Sequence, residues 1–388
     1  MGRCYSEVIC SGNQLPLALR FRVMDQTSSV LIAVVAHIVD DRQARLFERT
    51  VESLMALDTT GDVQANLLII DNASPRAIAT LLKGRAATLV QILRRDVNNI
   101  GAARGQALEA ALAGDHEWLA FVDSDIEVPT DWLTALFAEL RTNPMRDAVG
   151  VASVNRPPHE GDFARALDFF LSYEFAHLGS SQVLQLQAAS NQHITKRKVD
   201  HLATCAVVFK TKAVEQAGGF DPTFSRVGED LELSYRLKRL GSLWLLSSPI
   251  VLHRQDRTAT DWMRRMFRYG WGQVDVARKF PEHLKTKKVL PLVAGGAVVL
   301  SLLLVMFAGI SAPLKLLVLG YLGFIAAPLI LKGISEGQMD TAFHASWIAF
   351  VTHVGYAAGM WAGLLKLKRN PLLIPSSDGT RVPAPGTP

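Results

Sequence analysis

The sequence predicts an α/β domain on a mostly parallel central sheet, extended by an interfacial helix and about three transmembrane helices. Short β-branched apolar runs alternate with helix-spaced segments four times over, the pattern of a parallel sheet covered on both faces. Polar clusters recur where successive runs end, which is the edge at which open α/β sheets bind ligands. Beyond about residue 288 the charged, alternating character gives way to long uncharged apolar stretches.

Val30–Ala36 reads as the first central strand, and Arg42–Leu57 follows with Leu46, Val51, Leu54 and Leu57 on one side of a helix. Leu67–Ile70 is the second strand; Asp71-Asn-Ala-Ser74 terminates it and Pro75 opens a helix. Leu89–Leu93 is a third strand, and Asn98–Gly105 starts an Ala-rich helix reaching about Ala113. Trp118–Val122 then runs into Asp123-Ser-Asp125. Side chains at i and i+2 on extended backbone point the same way, so both carboxylates can face one divalent cation. Hard oxygen ligands suit Mg²⁺ or Mn²⁺, either of which neutralises a nucleoside diphosphate.

Asp162–Leu178 has the spacing of an amphipathic helix with Phe163, Leu167, Phe170 and Leu171 inward, and Gln182–Lys198 reads as a polar loop. Cys205–Phe209 is strand-like, Gly218-Gly-Phe-Asp221 a turn, and Gly228–Gly241 a helix with Glu229 and Asp230 in its first turn. Each polar residue also has a structural reading. Asp71 serves equally as a cap, Arg104 as a solvated helix residue, and the two acids as partners of a helix dipole worth roughly 0.3–1 kcal/mol.

With 388 residues, the chain is long enough for one large domain plus additions, or for two domains. Its net charge is +5, and the basic residues thicken between Arg254 and Lys288. That placement suits an anionic membrane surface and not nucleic acid, which would call for a basic patch on the soluble fold. Cys4, Cys10 and Cys205 have no ligand or disulfide spacing, so a reducing, cytosolic setting is expected. Residues 1–28 read as an extension without the pattern of a signal peptide, and the Pro/Gly/Ser-rich residues 370–388 as a disordered tail.

Taken together, Val30–Ala36, Asp71-Asn-Ala-Ser74, Ile100-Gly-Ala-Ala-Arg104, Asp123-Ser-Asp125, Gly218-Gly-Phe-Asp221, Gly228-Glu-Asp230 and His253-Arg254 form an ordered series. It resembles the family 2 glycosyltransferases of the GT-A fold, over residues 28–260, and implies a catalytic domain at 29–255. The resemblance implies donor contacts from Ala36, Asp71, Asn72, Asn99, Arg104, Asp123 and Ser124. It implies Mn²⁺ or Mg²⁺ on Asp125, Asp123 and His253, with Asp230 as general base beside Glu229. Asn99 stands where the family often has glycine. The Gln-x-x-Arg-Trp motif of processive synthases is missing near Arg264–Trp271, which favours one sugar per encounter.

Residues 256–288 mix Trp262, Met263, Met266, Phe267, Tyr269 and Trp271 with Arg264, Arg265, Arg268, Arg278 and Lys279. Such a segment either lies at headgroup level or packs on the catalytic domain. Arg254, Arg264, Arg268 and Trp271 are the candidate acceptor and interface residues. Spans are expected at 289–310, 313–331 and 341–365. Gly355, Gly359 and Gly363 in the third form a face suited to close helix packing and to an oligomer, with His344 and His353 turned toward neighbouring helices. Lys285, Lys287 and Lys288 place the catalytic domain in the cytoplasm of a multi-pass inner-membrane protein, although three crossings leave Lys366, Lys368 and Arg369 on the far side. The expected reaction is inverting transfer of one sugar from a nucleotide sugar, UDP-linked, to a hydroxyl of a lipid-linked saccharide, as in membrane-bound exopolysaccharide transferases. Two alternatives stand: a polyprenyl-phosphate glycosyltransferase, and a silent membrane-anchored binder of nucleotide sugars. The intact carboxylate set speaks against the latter, since buried like charges cost stability.

Overall fold

The computed structural model describes residues 28–59, 61–82, 90–172, 196–254, 258–283 and 312–365. The expected span at 289–310, the extension and the tail lie outside them. Alternation within one strand separates the two apolar layers of the domain. In β1 (Ser28–Ala36), Val30, Ile32 and Val34 face one side and meet Phe47, Val51 and Leu54 of α1 (Asp41–Met55). Leu31 and Ala33 face the other and meet Ala103, Ala107 and Leu108 of α2 (Ile100–Ala113). The Asp40 side chain caps α1 by accepting from Gln43 N at 2.7 Å, and Asn99 caps α2 by accepting from Ala102 N at 2.9 Å.

β2 (Val63–Asn72), β3 (Gln91–Arg95) and β4 (Trp118–Asp123) join β1 in parallel, in the order β3-β2-β1-β4. Beyond β4 the direction changes. β8 (Ala206–Lys210) runs antiparallel to β4 and to β6 (Ala148–Arg156), and β6 pairs in parallel with β9 (Ser242–His253). β5 (Ile126–Glu127) and β7 (Lys196–Lys198) add antiparallel edges to β9. β7 therefore lies where the sequence reads as loop, and Pro75 is followed by a single 3-10 turn at Ile78–Thr80 and not by a helix. The remaining helices of this part are α3 (Trp132–Leu140), α4 (Asp162–Leu171), α5 (Thr211–Gln216) and α6 (Glu229–Leu237).

Three longer helices follow: α7 (Ala259–Lys279), α8 (Ala312–Glu336) and α9 (Met339–Leu364). With α4 they enclose a further apolar cluster that includes Phe170, Trp262, Met266, Leu329 and Ile348. α7 and α9 touch backbone to backbone. A Cβ on Gly359 would sit 1.9 Å from Phe267 O, and one on Gly270 2.0 Å from Tyr356 O. The glycine face of α9 is thus covered within the chain, which corrects its expected use between copies. Trp262 and Trp271 are buried as well, and Trp262 Nε1 donates to Thr352 Oγ1 at 2.7 Å, so these rings do not stand at headgroup level. Among the described residues one stretch, Leu319–Glu336, is long and apolar enough to cross a membrane, where the sequence suggests two. α9 instead packs much of its surface on α7, α8 and α4. His353 meets Tyr321 of α8 as expected, but His344 is exposed and lies beside Asp340 of its own helix.

Candidate active site

Hydrogen bonding at the end of β4 sets the geometry. Asp123 N donates to Cys205 O at 2.9 Å, which holds the last residue of the strand in the sheet. The chain then turns through Ser124 and Asp125 into β5, where Ile126 pairs opposite His253. That register brings the His253 ring beside Asp125, with Nε2 3.1 Å from Oδ1, while Arg254 N donates to Asp125 O at 2.9 Å. Asp123, Asp125 and His253 each offer a ligand atom, all within 4.8 Å of one another. Two carboxylate oxygens and one imidazole nitrogen make a donor set that suits Mn²⁺ and comparable divalent ions.

The two carboxylates differ electrostatically. Burial raises the Asp123 pKa above its ordinary value despite the opposing Arg104 charge. Burial acts on Asp125 in the same sense, but the neighbouring His253 outweighs it and holds that carboxyl below the usual range. A bound cation would favour the ionised form of both.

Arg104 connects this pair to the acids of α6. It is buried on α2, ion-paired through Nη1 with Glu229 Oε1, while Nη2 lies 3.4 Å from Asp123 Oδ1. The Ile100-Gly101 segment allows the approach. A Cβ on Gly101 would fall 2.5 Å from Asp221 O, and Ile100 N donates to Ser225 O at 3.0 Å. Glu229 thus pairs with Arg104, and both line the same cavity as Asp123 and His253. Asp230 beside it is half-buried, accepts from Leu231 N at 2.7 Å, and opens on that cavity too.

That cavity, of about 1140 Å³, reaches from the strand ends to α7 and α9. Arg254 and Arg268 line it as expected, together with Arg42 and Arg226. Arg254 also pairs with Glu160 at 2.6 Å and with Glu127. Arg264 does not line it; its side chain is exposed and pairs with Asp261 at 3.5 Å. Trp271 is buried in the helix layer away from the wall. The site-facing residue is Arg265, one step further along α7, whose charge favours the ionised forms of Asp123 and Asp125. Arg265, Arg268, Tyr269 and Gly272 recur at three- and four-residue steps, a helical phase that could have been read from the sequence.

Four expected donor contacts, Ala36, Asp71, Asn72 and Asn99, stand off the cavity wall. Ala36 is buried at the end of β1. The Asp71 carboxylate accepts from Ser74 N at 2.9 Å and Ile78 N at 3.1 Å and pairs with Arg94. Asn72 donates to Asn98 Oδ1 at 2.9 Å and accepts from Asn99 N at 3.1 Å. These residues brace the loops after β1, β2 and β3. Ser124 is half-buried in the turn and is likewise outside the lining.

Residues 36–217 match the model of the family described as glycosyl transferase family 2. Pre-mycofactocin glycosyltransferases from two strains of Mycobacterium tuberculosis are each 28% identical over 270 residues, 69% of this chain and 50% of theirs. The chain thus spans about half the length of the curated relatives it matches. Among solved structures, a mannosyltransferase from Pyrobaculum calidifontis in complex with GDP-Man and Mn²⁺ is similar at a TM-score of 0.56 and 15% identity, with 88% of each chain covered. That likeness is one of fold. Residues 36–217, which hold the carboxylate pair at the end of β4, are thus similar to glycosyl transferase family 2 domains, and the acids that open α6 follow just beyond the matched stretch.

Proposed function

We propose that the chain is a metal-dependent, inverting glycosyltransferase that moves one sugar from a nucleoside-diphosphate sugar to a hydroxyl of a lipid-linked saccharide. The observation that carries this reading is the shared cavity. Asp123, His253, Asp230 and Arg104 all line it, and Arg104 lies within reach of the charges of both Asp123 and Asp230. Inversion needs a base on the acceptor side and a stabilised leaving group opposite it.

Asp123, Asp125 and His253 would hold Mn²⁺ or Mg²⁺, whose charge offsets the negative charge developing on the departing nucleoside diphosphate. Asp230 takes the proton of the acceptor hydroxyl as that oxygen bonds to the anomeric carbon. Arg104 keeps Asp123 in place and Arg265 adds positive charge beside the leaving group. The donor is expected to be UDP-linked, and GDP-mannose belongs in the panel because the mannosyltransferase of like fold was solved with it. A cavity bordered by Arg42, Arg226, Arg254 and Arg268 suits an acceptor whose saccharide sits on a diphosphate. Attachment to the cytoplasmic face of the inner membrane, through the apolar outer side of α8 and α9, brings such an acceptor within reach.

The test is nucleotide-sugar hydrolysis and transfer with Mn²⁺, Mg²⁺ and chelator, followed by the anomeric configuration of the product. Asp230→Asn is expected to lower transfer about 10²–10⁴-fold while donor binding stays near wild type. Wild-type turnover in Asp230→Asn, or a retained configuration, overturns the assignment.

A further inference from the structure

The cavity continues past the carboxylates. It runs from the sheet edge into the layer between α4, α7 and α9, where Leu167, Phe170, Trp262, Met266, Thr352 and Tyr356 line it. These six present mostly hydrocarbon or aromatic surface, while Arg265, Arg268, Tyr269 and Gln273 of α7 line the same cavity. Several polar groups beside the six are bonded to one another. Trp262 Nε1 donates to Thr352 Oγ1 at 2.7 Å, that hydroxyl donates to Ile348 O at 2.7 Å, and Tyr321 Oη lies 2.7 Å from His353 Nδ1. A saccharide placed here would leave its hydroxyls short of partners that water supplies, whereas a hydrocarbon chain gives up nothing on entry. The sheet end is the reverse, with Arg104, Asp123, Asp230 and His253 on its walls. One continuous space is therefore polar and charged at one end and apolar at the other.

The helices around the arm also carry the apolar exterior of the molecule. Phe343 and Trp347 of α9 and Leu331 and Ile334 of α8 are exposed large hydrophobic residues, and α8 holds the stretch long enough to span a bilayer. Lys332 of α8 reaches back to Ser172 Oγ at the end of α4 and lies 4.1 Å from the Phe169 ring centroid, which ties the wall of the arm to that helix.

We propose that the arm between α4, α7 and α9 is the binding site for the hydrocarbon chain of the acceptor. Its first segments lie inside the protein while the head group reaches Asp230. The hydroxyl's role at Asp230 rests on the glycosyl-transfer reading; occupancy of the arm is tested apart from it.

The experiment uses the full chain in phospholipid vesicles with two photoreactive probes, a diazirine-bearing farnesyl diphosphate and a diazirine-bearing phosphatidylcholine. Labelled peptides are identified by mass spectrometry. The prenyl probe is expected on α4 and α7, around Leu167–Leu171 and Trp262–Met266, and the phospholipid probe on the outer face around Phe343 and Trp347. Met266→Trp, which fills the arm, should lower prenyl labelling there about tenfold. Leu171→Trp, at a half-buried wall position, repeats the test without loading the core if Met266→Trp folds poorly. Prenyl label confined to the outer face, the phospholipid probe alone reaching the arm, or undiminished label in the two variants overturns the proposal. Nucleotide-sugar hydrolysis by the wild type is followed in the same preparation. Its absence counts against glycosyl transfer, and the labelling map still decides the arm.

Discussion

Arg104 holds an acid with each arm of one guanidinium, and the contact with Glu229 lies in an interior where an unpaired charge is costly. Arg104→Met leaves Glu229 buried without its cation, so equilibrium urea unfolding is expected to show a loss of about 3–5 kcal/mol. The double variant Arg104→Met with Glu229→Gln should recover part of that loss, because the orphaned charge is gone. Sequence reasoning placed Arg104 on the right helix. It could not show that Glu229, distant along the chain, closes on it, since only the approach of α2 to the turn before α6 makes the pair. Asp221 gives a second, pH-dependent case. Burial alone would raise its carboxyl, but hydrogen bonds from Lys279 and Thr223 hold it down at about 2, below its ordinary value. A depressed carboxyl stabilises the fold above its unfolded pKa and loses that contribution as pH falls through the folded value. Asp221→Asn should therefore melt below the wild type at neutral pH, and the gap in Tm should close as pH falls from about 4 toward about 2.

At the scale of elements, α7 works on two faces. One presents Arg265, Arg268 and Tyr269 to the cavity, and the other lies against the glycines of α9. Gly359→Leu has no room against Phe267 O, so it should separate the helices, lower Tm and reduce turnover, although residue 359 is not on the cavity wall. Gly105→Ala is the contrasting control. It lies within α2, a Cβ there meets nothing within 4 Å, and the variant should gain about 0.4–1 kcal/mol in the same unfolding assay. The elements around β1, β2 and β4 were legible because their buried residues are apolar and β-branched and their ends carry polar clusters. β6 and β9 were harder to place. β6 ends in Asn155-Arg156 without the paired acids that mark β4, and β9 runs twelve residues through Ser247 and Pro249, which break its apolar pattern. In α7, Arg264 and Arg268 were the candidate acceptor residues. Helical phase sends Arg265 to the cavity beside Arg268 and leaves Arg264 outside, and the partner that decides the phase, α9, lies far along the chain.

The whole molecule joins a polar cavity at the sheet edge to a helix layer with an apolar exterior. Trp347 stacks on Phe350 with centroids 5.4 Å apart, and both Phe343 and Trp347 face outward. Replacing Phe343 and Trp347 with Glu should release the protein from anionic vesicles in a flotation assay while leaving nucleotide-sugar hydrolysis near wild type. Hydrolysis lost together with binding would mean that these residues support the fold. The apolar character of 313–331 and 341–365 was evident in the sequence, but composition alone could not tell a lipid-facing helix from one packed on its own chain. The close glycine contacts show one face of α9 packed on its own chain, while Phe343 and Trp347 leave another exposed. Those contacts also bear on how the protein can be handled. Phe170, Trp262 and Met266 are covered by α8 and α9, so a shortened product ending before α8 would bare a sticky surface beside the reaction site. Attempts to trim the protein to a soluble core should yield aggregates, and any drug-screening or crystallisation programme will need the two last helices left on.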